Sequence, residues 1–425
     1  MGPLDARTVR RRYLFLIGLR WFQSGLLIPI LVLLMVSRGL SLVEIGLVGS
    51  VQGLIVLFLE LPTGGLSDSL GRRPTLLLAY VFAFAGLAML YVADSVGGFV
   101  LATALTAIFR ALDSGPLEAW YVDATHAVNP EARIESGLSA GSSVLSLGIA
   151  AGALLSGALV ALDPLPAIET LDLPVLLALG IAVLNLGAAA WLLTEAPRAA
   201  GFRGVVSSVR AVPATVREAV TLLRRSRVLP AVVAVELFWG FAIIAFESLF
   251  PIRLAEVVGG TTEAAALMGP ASSGAWFAAA AGAALITLLS ARIGVARSAM
   301  AMRILQGMTI VAMGLLAGAV GLITAYLACY FTHGASNPMH MTLLHREVDA
   351  RHRTTVVSLN SMVFHPSAAV GAIVLTTIAA GTSLASAFVV AGIACAVAAP
   401  LYLPALRAER ERAAAGHDRV LEPQP

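Results

Sequence analysis

Arg20, Arg110, Asp113, Glu118, Glu236, Glu247, His333 and His340 all fall inside long apolar stretches of this 425-residue chain. A charged side chain at mid-bilayer costs about 2.5–3.5 kcal/mol, so each of these groups needs a compensating partner or a task. A carboxyl in a poorly hydrated cavity favours its neutral form, and a neighbouring guanidinium favours the carboxylate. Acids beside arginines therefore make switchable proton sites, and Asp113 and Glu236 are the acids expected to carry protons, with Arg110 and Arg20 tuning them. The alternative is that Arg20 with Asp113 and Arg110 with Glu236 are fixed structural ion pairs. His333 and His340 are open between hydrogen-bonded packing residues and a proton relay.

These groups sit in a chain that is 58% hydrophobic and 12% charged, with mean hydropathy +0.88. Such a composition excludes a water-soluble globule and makes lipid the main solvent. Apolar runs of about 20 residues recur along the chain, each long enough to cross a hydrocarbon core of roughly 30 Å. Twelve spans are expected, at 13–36, 41–62, 74–93, 97–121, 137–162, 173–194, 229–250, 264–290, 298–317, 321–345, 354–380 and 382–404. They are apolar on nearly all sides rather than alternating, which argues for helices and against a β-barrel.

Basic residues stay on the cytoplasmic side of short loops. The chain has no lysine, and only Arg38 and Arg253 would face outward if the N-terminus is inside, so both termini are expected to be cytoplasmic. The net charge of +3 is spread over membrane-proximal loops, which removes the case for nucleic acid as a partner. Cys329 and Cys395 both lie in expected spans, so no disulfide framework is expected. The first apolar run is too long for the core of a signal peptide and should remain as a helix.

Residues 196–228 divide the spans six and six. The expected organisation is an N-terminal six-helix bundle at 1–195, a basic cytoplasmic linker at 196–228, a C-terminal six-helix bundle at 229–404 and a cytoplasmic tail at 405–425. Arg203, Arg210, Arg217 and Arg224 recur every seventh residue, which fits either an interfacial amphipathic helix on anionic lipid or a solvated basic loop. Duplication is visible in Leu289-Ser290-Ala291-Arg292-Ile293-Gly294, a worn copy of the segment that ends at Gly71, and in the pairs Pro116 with Pro338 and Arg133 with Arg353.

The segment Gly64-Gly65-Leu66-Ser67-Asp68-Ser69-Leu70-Gly71-Arg72-Arg73 resembles the signature loop of the major facilitator superfamily, and Glu60-Leu61-Pro62-Thr63 before it resembles the drug-exporter branches. Gly64 and Gly71 should allow a tight reversal there. The resemblance implies a twelve-helix fold of two six-helix bundles, with spans one, four, seven and ten around a central cavity. On those spans it would place Arg20, Gln23, Glu118, Trp239, Glu247, His333 and His340 as cavity residues, beside Asp113, Arg110 and Glu236. It further implies a conformational latch of Gly64, Asp68, Gly71, Arg72 and Asp123, with Arg72 paired to Asp123 and Asp68 aimed at the start of the eleventh span. A loop that only sets topology is the plainer reading. Glu236 and Glu247, eleven residues apart, are expected on one helical face at two depths.

The fifth span, Gly148-Ile149-Ala150-Ala151-Gly152-Ala153-Leu154-Leu155-Ser156-Gly157, resembles the family's antiporter signature with Ala153 and Ser156 as departures, and would equally serve close helix packing. Arg303 and His365 lie outside the expected lining, Arg303 being placed to snorkel. Two arginines against four acids on the cavity spans favour cationic or zwitterionic, partly apolar cargo. The expected function is proton-driven export of a small amphipathic compound by a monomer in the inner membrane; proton-coupled uptake of a metabolite is the alternative. A receptor or intramembrane enzyme is the reading of another class, for which no nucleotide loop or His-Glu-x-x-His zinc motif is present in the sequence. No cofactor or metal is expected, and the proton gradient is the expected energy source.

Overall fold

The structure is a computed structural model that describes residues 5–421 except 196–209, 211–212, 215–216, 219 and 350–351, with backbone alone at 60–66, 68, 354, 413 and 415–421. Among the described residues every regular element is helical. Among the described residues, eleven helical segments are long and apolar enough to cross a membrane. The expected tenth span is also a helix, Gly318–Arg346, of 29 residues. It falls short on apolarity because Thr324, Thr332, His333, Ser336, Asn337 and His340 interrupt it.

Contacts divide the chain into two compact units, Met1–Val212 with Pro251–Phe277, and Pro213–Phe250 with Ala278–Pro425. In the first unit the helices are α1 Ala6–Leu27, α2 Leu31–Ser37, α3 Leu42–Leu70, α4 Arg72–Val92, α5 Val96–Asp113, α6 Pro116–Val128, α7 Glu135–Leu162 and α8 Asp172–Leu192. Polar caps begin several of them. Asp5 accepts from the Thr8 N–H at 2.7 Å, and the hydrogen bonds from Thr8 hold its carboxyl below the usual range. Ser41 and Glu44 form a reciprocal capping box at α3.

Two sequence expectations change here. The fourth span is not one continuous helix: α5 stops at Asp113, Gly115 turns the chain at φ 93° and Pro116 restarts it as α6. A proline at the first helical position lacks only an N–H that would have had no partner. The reversal before Arg72 uses Gly71 alone, at φ 103°, because α3 continues as helix through Gly64.

α1 crosses α7 at nearly bare backbone. A Cβ on Gly152 would stand 2.3 Å from the Phe22 carbonyl oxygen, and one on Gly25 would stand 2.3 Å from that of Ile149. The small residues of the fifth span therefore permit a close helix contact that the apolar pattern alone does not specify.

The second unit contains α9 Leu229–Ile244, a π-helical turn Ala245–Leu249, α12 Val295–Leu315, α13 Gly318–Arg346, α14 Arg353–Gly381, α15 Leu384–Val397 and α16 Leu403–Leu421. Between these come α10 Phe250–Val258 and α11 Thr261–Ile293, which the unit boundaries cross. Apolar side chains such as Phe58, Leu162, Trp191 and Val320 are exposed, as a lipid-facing surface requires.

Candidate functional site

The first unit lines a partly open cavity of about 500 Å³ whose wall includes Arg20, Gln23, Arg110, Asp113 and Glu118 together with Trp21 and Phe109. α1 carries Arg20 and Gln23, the last turn of α5 carries Arg110 and Asp113, and α6 carries Glu118 beyond the break. The break at Ser114–Gly115 thus turns three ionisable groups toward one space instead of spreading them along a helix. The five expected cavity groups of this unit are brought together.

Arg20 donates through Nε to the Asp113 carboxylate, with 11% and 6% of the two side chains exposed. Its guanidinium lies 3.8 Å from the centroid of the Trp21 ring and 5.3 Å from that of Phe109, both favourable cation–π distances. Arg20 Nη1 and the Tyr80 hydroxyl are buried and lack hydrogen-bond partners among the described residues. Gln23 accepts a hydrogen bond from Asn185 Nδ2 at 2.8 Å, a partner that a single asparagine in α8 gave no periodic signal to reveal. Arg110 is exposed and Glu118 partly buried. The site combines a buried ion pair, one further cation and one further acid with aromatic and aliphatic walls.

In the second unit Glu236 pairs with His340, Nε2 to Oε1 3.1 Å, with 6% and 2% of the side chains exposed. His340 Nδ1 meets the Tyr402 hydroxyl at 2.9 Å, and Nε2 lies 3.0 Å from Asn360 Oδ1. Trp239 stacks on His333 with centroids 4.8 Å apart. Glu236, Trp239, His333 and His340 are thus neighbours, but Glu247 does not share the burial of Glu236. Glu236 is buried and Glu247 exposed, and Glu247 lies within the π-helical turn Ala245–Leu249 that interrupts the helical register. Arg303 also departs from expectation. It does not snorkel: it is 3% exposed, donates from Nη1 to Gln306 Oε1 at 2.9 Å and lies 4.7 Å from the centroid of Trp239.

At the helix ends, Arg72 Nε lies 3.6 Å from Asp123 Oδ2, and Arg72 Nη1 donates to Ser67 Oγ at 3.0 Å. The side chain of Asp68 lies outside the described residues, and with it the expected aim at the eleventh span. Glu195 was not anticipated. It follows α8 and accepts from the backbone N–H groups of Arg72 at 3.0 Å and Arg73 at 2.9 Å, capping α4. In the second unit Glu409 accepts from the Ala296 N–H at 3.1 Å and from Arg346 Nη1 at 2.6 Å, capping α12 in the same manner. Glu195 and Glu409 each follow the last span of a six-span half, so the cap repeats between the halves.

Comparison with known proteins decides the family. A model of the Major Facilitator Superfamily matches residues 13–372. The chain belongs to this superfamily. A stretch of 103 residues is 29% identical to the MFS-type transporter YxaM of Bacillus subtilis (strain 168), covering 24% of this chain and 26% of that one, so the match spans about a quarter of that relative. Among solved structures, the nucleoside transporter NupG superposes with TM-score 0.76 at 12% identity, covering 93% of this chain and 99% of the other. A peptide transporter POT in complex with sulfate gives TM-score 0.71 at 16% identity, covering 93% of each chain. These likenesses establish the major facilitator fold. The protein is a multi-pass secondary transporter of the superfamily and not an enzyme.

Proposed function

We propose that this transporter exports a small amphipathic compound in exchange for protons, by alternating access of two six-helix halves joined through the basic linker. The observation that carries the reading is the Arg20–Asp113 pair in the wall of the first unit's cavity. A buried carboxylate held by a guanidinium at the edge of a space large enough for a small molecule is a site at which proton and cargo can compete. Trp21 and Phe109 supply apolar surface, and Arg110 and Glu118 supply polar contacts of either sign, which suits zwitterionic or cationic amphipathic cargo. Asp113 and Glu236 carry protons in this reading, and the contact of Arg72 with Asp123, supported by Glu195, stabilises one conformational state. The protein works as a monomer in the inner membrane with both termini cytoplasmic, and the proton gradient supplies the energy without a cofactor.

Export rests on the drug-exporter and antiporter resemblance of Glu60–Thr63 and Gly148–Gly157. The test is reconstitution into liposomes containing a pH dye, with amphipathic cations, zwitterions and anions screened for substrate-dependent proton movement. Proton flux opposite to substrate is expected. Parallel flux would replace export by coupled uptake, and absence of flux with every compound would remove proton coupling.

A further inference from the structure

Arg303 is a fully buried cation whose partners, Gln306 at 2.9 Å, the Tyr402 hydroxyl and the Cys395 thiol, carry no negative charge. A guanidinium cannot shed its charge, and burying it without a counter-charge is strongly unfavourable. Among the described residues the carboxylate that acts on it electrostatically is Glu236. Two neutral groups, Tyr402 and His340, join the two. Arg303 bonds Tyr402, Tyr402 bonds His340 at 2.9 Å, and His340 meets Glu236 at 3.1 Å.

The direction of this chain follows from the donors available. His340 Nε2 faces two oxygens, Glu236 Oε1 and Asn360 Oδ1, so the ring hydrogen belongs on Nε2 and Nδ1 is the acceptor. Tyr402 then donates its O–H to Nδ1, while its oxygen accepts from Arg303. Every bond points from the cation toward the carboxylate. The other groups facing this core are Cys395 from α15, whose Sγ lies 3.9 Å from Gln306 Oε1, and His333 from α13, behind Trp239; α14 contributes the neutral Asn360.

We propose that Arg303, Tyr402, His340 and Glu236 form one polarised hydrogen-bond relay, which the coupling proton reverses as it loads Glu236, opening this polar core. The proposal rests on the proton-coupled reading and assigns the second unit's share in it. Loading takes one proton from water and makes one O–H bond on Glu236. The protons shift along the relay: water protonates the Tyr402 oxygen, the phenol's own proton passes to His340 Nδ1 and the ring's Nε2 proton passes to Glu236, so the ring exchanges its Nε2–H for an Nδ1–H bond and Tyr402 changes from donor to acceptor toward His340. Arg303 loses its only formal counter-charge among the described residues at the same moment. The loaded core relieves that cost by admitting water or an anionic group.

Cys395 reports the opening, because it is fully buried against Arg303 and Gln306. In a Cys329→Ala background it is the one thiol of the chain. N-Ethylmaleimide labels it by addition of the thiolate sulfur across the ring double bond, the neighbouring carbon taking a proton from water. With the protein in liposomes, Glu236→Gln, which fixes the acid in its neutral form, is expected to raise the labelling rate at least tenfold. Adding Arg303→Gln should return the rate to that of the parent, since the unbalanced cation is gone. Acidification slows alkylation of a freely exposed thiol, so faster labelling of the parent at lower pH marks opening, and Tyr402→Phe should abolish that acceleration.

Unchanged labelling in Glu236→Gln, or a raised rate that Arg303→Gln does not reverse, would overturn the relay. If Glu236→Gln fails to accumulate, the charge-balanced double variant carries the test, and a labelling rate that still rises on acidification would overturn it. Substrate-driven proton flux retained by Glu236→Gln would likewise overturn the relay while leaving coupled transport standing.

Discussion

Arg20 on α1 and Asp113 at the last residue of α5 form a nearly buried ion pair in the wall of the first unit's cavity. Removing one member of such a pair leaves an uncompensated buried charge and costs about 3–5 kcal/mol, whereas removing both can be nearly neutral. Arg20→Gln and Asp113→Asn should therefore each lower the thermal midpoint of the purified protein clearly. The double variant should recover most of the loss. Additive losses in the double variant would mean that the two side chains act separately in the folded protein.

The α1–α7 crossing sets a second expectation. Gly152→Ala places a methyl group 2.3 Å from the Phe22 carbonyl oxygen, and neither backbone can yield without separating the helices. Overpacking of this kind costs about 1–3 kcal/mol. Gly187→Ala on α8, where nothing lies within 4 Å of an added Cβ, is the control and should be tolerated. Thermal unfolding in detergent distinguishes them, and equal stability of the two variants would show that the crossing is not tight in solution.

The acid caps on α4 and α12 predict matched effects in the two halves. Glu195→Ala removes the acceptor of two backbone N–H groups at the start of α4, and Glu409→Ala removes that of Ala296 together with the partner of Arg346. A lost cap costs about 0.5–2 kcal/mol, so each variant should unfold at a lower temperature by a similar margin. Glu195→Gln, which keeps an accepting oxygen, should lose less. Wild-type stability in Glu195→Ala would show that water replaces the carboxylate without cost.

At the end of α4, Arg38 donates to the carbonyl oxygens of Leu90, Tyr91 and Ala93 at 2.5–3.0 Å and to Asp172 Oδ1 at 2.5 Å. One guanidinium satisfies the end of α4 and ties it to the start of α8. Arg38→Lys keeps the charge but cannot reach four acceptors from one planar fork. It should increase protease cleavage near Asp94 relative to wild type, and unchanged cleavage would mean that the α4 end is held by packing alone.

Much of the fold was legible because lipid makes the pattern simple. Long apolar runs give spans, and arginine in short loops suggests orientation. The break after Asp113 was marked by Ser114-Gly115-Pro116, yet its effect on Glu118 needed three dimensions. No comparable mark precedes the π-helical turn around Glu247, since Ala245–Leu249 is as apolar as its neighbours. Arg20 with Asp113 was among the anticipated pairs. Arg303 was misplaced because a lone arginine in a span looks the same whether it snorkels or meets Gln306 and Tyr402 inside. Glu195 and Glu409 act on backbone N–H groups, which carry no sequence identity at all.

The claim at the centre of this account is that the Arg20–Asp113 pair takes part in proton coupling and is not only a structural strut. Substrate-driven proton flux in liposomes should be compared between wild type and the Arg20→Gln/Asp113→Asn double variant, whose charges remain balanced. The account predicts a double variant that folds about as stably as wild type and moves no protons with substrate. Uphill transport restored to the wild-type rate in the double variant would contradict it and leave the pair a fixed structural element.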